Sequence, residues 1–119
     1  MRLICRLIPG IFTHMSFLIP VKRLFETPTL VAFQHPKPVY PLHILIVPKR
    51  AISGPASISK KDQDFLIDLF QCVAKLVEEF RLEDQGYRLI TNGGKFQEVS
   101  QLHFHLISEK PAPELSQPS

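Results

Sequence analysis

Only two cysteines, Cys5 and Cys72, occur in the 119 residues, too few for a disulfide scaffold, and a reducing compartment, the cytoplasm, is therefore expected. Blocks of like charge are also missing. The formal charge of +3 is scattered over short pairs, Lys22-Arg23, Lys49-Arg50 and Lys60-Lys61, so nucleic acid is not expected as a partner. The longest uncharged run, Leu7 to Val21, includes Pro9, Gly10 and Pro20 and falls short of the roughly 20 apolar residues that cross a bilayer. No membrane partner is expected. No acid precedes Glu26, but no small-residue cleavage site follows the basic, apolar start, which argues against a secretory signal. Residues 1–15 read as an N-terminal extension, for which a transit peptide, a loosely docked arm and a true start at Met15 are the alternatives, with 16–108 one domain and the Pro/Ser-rich 109–119 a mobile tail. No internal repeat is visible.

What is present is an ordinary apolar fraction, 45%, enough to build one core without a structural metal. Leu24 to Phe33 alternates around Thr27-Pro28-Thr29 and predicts two short strands joined by a turn. The three prolines of Gln34 to Pro41 cannot donate to a ladder and predict a loop. Leu42 to Val47 is β-branched, almost wholly apolar and ended by Pro48, the pattern of a strand covered on both faces. Ser59 and Asp62 resemble a capping box, and Phe65, Leu66, Leu69, Val73, Leu76, Val77 and Phe80 then recur at helical spacing. Tyr87 to Thr91 and Val99 to Ile107 predict two more strands around an Asn92-Gly93-Gly94 turn. The order gives an α+β fold: a five-stranded antiparallel, meander-like sheet with one long helix on one face.

Five histidines stand out against this background: His14, His35, His43, His103 and His105. In a strand from Val99 to Ile107, Gln101, His103, His105 and Ile107 share one face, with the two imidazoles roughly 7 Å apart. Leu102, Phe104 and Leu106 face the core. His43 interrupts the other strongly apolar strand. Three imidazoles over two strands can be a metal site, a nucleophile with acid/base helpers, or an anion-binding surface.

The run Gln97-Glu-Val-Ser-Gln-Leu-His-Phe-His-Leu-Ile107 resembles the signature of the histidine-triad (HIT) superfamily, and Pro41-Leu-His-Ile-Leu-Ile-Val-Pro-Lys49 resembles its Pro-x-His-x-Leu-x-x-Pro-Lys strand. Ile19 to Phe33 and Asn92 extend the likeness over about residues 19–108. The resemblance implies a nucleotidyl hydrolase or transferase acting on the α-phosphate of a purine nucleoside phosphate, phosphoramidate or dinucleoside polyphosphate. His103 would be the nucleophile, His105 a phosphate donor that assists the leaving group, and His43 their partner. It assigns Asn92, Gln97, Gln101, His35 and Phe33 to substrate contacts, requires no cofactor or metal, and implies a homodimer whose two sheets join into ten strands. Two departures matter. Gln101 stands where the first triad histidine would be and cannot titrate, and His35 stands where many members carry an acid that holds the ribose. A nucleotide-binding or regulatory module without turnover, and a metal protein using His43, His103 and His105, are the alternative readings.

Overall fold

The computed structural model describes residues 22–109; the expected N-terminal extension and nearly all of the expected tail lie outside them. Five strands form one antiparallel sheet: β1 (Arg23–Glu26), β2 (Leu30–Gln34), β3 (Leu42–Pro48), β4 (Arg88–Ile90) and β5 (Phe104–Ser108). Between β3 and β4 runs the helix α1 (Gln63–Glu79). The α+β class, the five strands and the single long helix stand as expected. The strand order is β1-β2-β3-β5-β4, so the meander holds through β3, after which the chain, having passed through α1, enters at the edge as β4 and returns inward as β5.

Covalent periodicity explains most of this. Every residue of β3 is buried, because α1 covers one face and a second apolar layer forms on the other. Phe65, Leu69, Cys72, Val73, Leu76 and Val77 make the inward stripe of α1 and pack on Leu30, Ala32, Leu42, Ile44, Ile46 and Leu106. The Cys72 thiol sits in this layer and burial pushes its pKa up to about 12, which makes it a small apolar filler and not a reactive group. The opposite face carries a smaller cluster, Val31, Phe33, Leu45 and Val47. Among the described residues no helix is long and apolar enough to cross a membrane.

The last strand differs from its sequence pattern. It begins at Phe104 and not at Val99, because the preceding segment bonds to a loop instead of a neighbouring strand. Leu102 N–H donates to the Ile52 carbonyl at 2.7 Å, and the Gln97 amide nitrogen donates to the carbonyls of Ser53 at 2.6 Å and Val99 at 2.8 Å. The loop itself is pinned: Arg50 forks onto the Asp62 carboxylate through Nε at 2.9 Å and Nη2 at 3.0 Å, and Asp62 also accepts the Ser59 N–H at 3.0 Å just before α1. The bond from Ser59 and the guanidinium of Arg50 together hold the Asp62 carboxyl below its ordinary pKa.

Candidate active site

Strand register decides which histidines meet. Phe33 pairs with Leu45, and Leu45 with His105, so these three side chains share the face opposite α1. His43 lies two residues before Leu45 on that same face and is therefore diagonal to His105, a separation that long side chains bridge. The observed distance from His43 Nε2 to His105 Nδ1 is 2.9 Å. His103 sits one residue ahead of β5, its carbonyl held by Thr91 Oγ1 at 2.9 Å. Its ring centroid lies 5.0 Å from that of His105, edge to face.

Hydrogen-bond direction then fixes each neutral ring. A backbone N–H can only donate, so the 3.1 Å contact from Val39 N makes His43 Nδ1 an acceptor and puts the His43 proton on Nε2. That Nε2–H donates to His105 Nδ1, which leaves the His105 proton on its own Nε2. A carbonyl can only accept, so the 2.8 Å contact with the Gln101 carbonyl puts the His103 proton on Nδ1. His103 Nε2 therefore carries a bare lone pair beside a neighbouring imidazole that offers a proton. Burial, aided by the nearby charge of His35, pushes the His43 pKa down to about 4. Burial, then His103, His43 and His35, does the same to His105, also to about 4. Both rings are neutral near pH 7, and the tautomers above apply.

Gln101 does not lie with the imidazoles on a strand face, as the alternation from Val99 to Ile107 would have it. Its side chain is almost fully buried, at 1% exposure, where Nε2 donates to the Arg50 carbonyl at 3.1 Å and Oε1 accepts the Ile52 N–H at 3.3 Å. The residue reaches the site through its main chain, whose carbonyl holds His103. Gln97 likewise spends its amide on Ser53 and Val99. Phe33 is buried in the layer with Leu45, and Asn92 is exposed just after β4. His35 stacks on His43, with centroids 4.3 Å apart.

Val39 and Thr91, which orient two of the imidazoles, are the residues that sequence reasoning missed. A signal for Val39 existed: with Pro36, Pro38 and Pro41 lacking N–H groups, the loop has few donors to give. Among the described residues no three His, Cys, Asp or Glu side chains converge as a metal site, since His43 and His105 turn their nitrogens on each other. A hollow of about 510 Å³ lined by Arg50, Ser53, Ser57, Lys61 and Gln101 includes none of the histidines.

A HIT domain model matches residues 17–112. The chain belongs to the HIT family. The chain is 33% identical over 94 residues to an uncharacterized HIT-like protein of Buchnera aphidicola, covering 77% of this chain and 82% of that one. It is 32% identical over 95 residues to the purine nucleoside phosphoramidase of Escherichia coli K12, covering 78% and 80%. Among solved structures, a histidine triad protein from Clostridium difficile superposes with a TM-score of 0.75 at 32% identity, covering 87% of this chain and 92% of its own.

Proposed function

We propose that this chain hydrolyses a P–N or P–O bond at the α-phosphate of a purine nucleoside phosphate by way of a nucleotidyl group carried on His103. One observation carries the reading: the Gln101 carbonyl accepts a hydrogen bond from His103 Nδ1–H at 2.8 Å, so the neutral ring leaves Nε2 unprotonated and nucleophilic. The relationship to the Escherichia coli purine nucleoside phosphoramidase supports the substrate class.

In the first step the His103 Nε2 lone pair attacks phosphorus and the bond to the leaving nitrogen or oxygen breaks. The positive charge that develops on the imidazole is stabilised by the Nδ1–H bond to the Gln101 carbonyl. His105, whose Nδ1 is taken by the His43 Nε2–H and whose own proton is on Nε2, donates that N–H to the phosphate as charge builds there, and the leaving atom departs with a proton that the substrate brings. In the second step water attacks phosphorus, its proton passes to a phosphate oxygen, the P–N bond to His103 breaks and the nucleoside monophosphate departs. Gln101, standing in place of a titratable residue, takes no part in these proton transfers.

The test is turnover of adenosine 5′-phosphoramidate. His103→Ala is expected to lower kcat by at least about a thousandfold while the protein stays folded, and an unchanged rate overturns the assignment. Binding of nucleotide by wild type without any turnover makes the chain a binding module instead.

We also propose that two copies pair through the β4 edge and the outer side of α1. Ile67 and Phe70 are 57% and 61% exposed there, and β4 is an open sheet edge. Light scattering should report a dimer that Phe70→Glu converts to monomer.

A further inference from the structure

The reaction above uses three imidazoles, and the site contains a fourth. His35 follows β2 in the loop from which Pro36, Pro38 and Pro41 remove backbone donors. The residue is nevertheless held through both its backbone and its ring. Its backbone N–H donates to the His43 carbonyl at 2.8 Å. Its Nδ1 accepts the Lys37 N–H at 2.9 Å. Its face lies on His43, with centroids 4.3 Å apart and planes tilted by 34°, and it is stacked at 6.2 Å and 22° over His105.

The His43 ring needs such support. Its Nδ1 bond to the Val39 N–H, at 3.1 Å, lies toward the long end of ordinary N–H donor distances, and Tyr40 meets the ring edge-on at 5.5 Å. A ring held only by these can tilt or exchange tautomers, and either movement breaks the Nε2–H contact to His105. A flat neighbour on its face prevents the tilt and keeps water away.

We infer that His35 is a positioning residue: by stacking on His43 it holds the His43 to His105 hydrogen bond in the single arrangement that turns the His105 N–H toward the phosphate. The inference rests on the nucleotidyl-transfer reading for its kinetic consequence but not for its structural one.

The electrostatics agree. The titratable groups that face His35 are His43 on β3, His105 on β5 and His103 just before β5, while Lys37 of its own loop meets it through the backbone N–H. Burial first, and then the charge of His103, lower the His35 pKa. Burial likewise lowers the pKa of His43 and His105, so the stacked rings of His35, His43 and His105 are all pushed toward the neutral form.

Wild type, His35→Ala and His35→Phe, each as the full chain, decide the matter by ¹⁵N imidazole NMR without substrate and by turnover of adenosine 5′-phosphoramidate. In wild type, His43 and His105 are each expected as one tautomer with the proton on Nε2. In His35→Ala, His43 should become a tautomer mixture and the titrations of His43 and His105 should move up toward ordinary histidine. Its kcat should fall about fivefold with KM little changed, the kinetic equivalent of one aromatic stack. His35→Phe keeps the stack without a ring nitrogen and should restore the single tautomer and a rate within about twofold of wild type. A single tautomer with unshifted titrations in His35→Ala overturns the inference, as does a His35→Phe protein that behaves like the alanine variant. The spectra need no catalysis, so a wild type that shows no turnover removes the reaction while still deciding the role of His35.

Discussion

Replacing Gln101 by leucine separates what its side chain does from what its main chain does. The leucine has similar bulk but leaves the Ile52 N–H and the Arg50 carbonyl without the bonds at 3.3 Å and 3.1 Å that they now make. Ile52 is buried at 2% exposure, so its orphaned donor costs about 1–3 kcal/mol, toward the lower end because the bond is long. The Arg50 carbonyl belongs to an exposed residue and can recruit water, which limits its cost to about 1 kcal/mol. The sum, about 2–4 kcal/mol, is a large part of the 5–15 kcal/mol that stabilises a typical domain and corresponds to a fall in Tm of roughly 10 °C or more. Urea unfolding measures it directly. The His103 Nδ1 contact is to a main-chain carbonyl and survives the substitution, so kcat well below the melting range should fall by less than about tenfold. Gln101→His keeps one donor and one acceptor and should lose less stability. Full stability together with collapsed turnover in the leucine variant refutes this division of roles.

Two further outcomes follow from the geometry. A Cβ on Gly54 would meet Gln97 Oε1 at 2.8 Å, and that amide is tied by its nitrogen to Ser53 and Val99; Gly54→Ala should therefore cost about 1 kcal/mol, and a double-mutant cycle with Gln97→Ala should show most of that cost vanish. The second concerns acid. Folding lowers the pKa of His43 and His105 from 6.5 to about 4, so between these values the unfolded chain binds more protons than the folded one. Stability must then be greatest above about pH 6.5 and fall as the pH drops toward about 4. Denaturant midpoints across that range should show the loss, with a shallower slope in His43→Phe; a flat profile in wild type contradicts the burial of neutral imidazoles.

Elements whose side chains are sorted by burial were legible before any coordinates. The apolar run of β3 reads correctly because both its faces are covered, and α1 because its stripe repeats with the helical period. The start of β5 was not, since Gln101 and His103 continue the alternation of the strand while the Gln101 side chain and the Leu102 N–H bond to the Arg50 to Ser53 loop. Alternation records which way side chains point and says nothing of where the N–H groups go. The order of β4 and β5 was hidden for a related reason: both have the same pattern whichever neighbour they pair with. In the site, the triad positions were visible as residue types in a known spacing. The partners that set their tautomers were not, because Val39 acts through a backbone N–H, Gln101 through a carbonyl, and His35 through a loop whose path is set by prolines.

The most direct measurement of the central claim is mass spectrometry of wild-type protein quenched during turnover of adenosine 5′-phosphoramidate, under alkaline conditions that preserve a P–N bond. One adenylyl group is expected on the peptide that carries His103, formed and discharged at rates consistent with kcat and absent from His103→Ala. An adenylyl group on the His43 peptide, or steady turnover by a protein on which no adduct accumulates even after rapid quenching at saturating substrate, contradicts it.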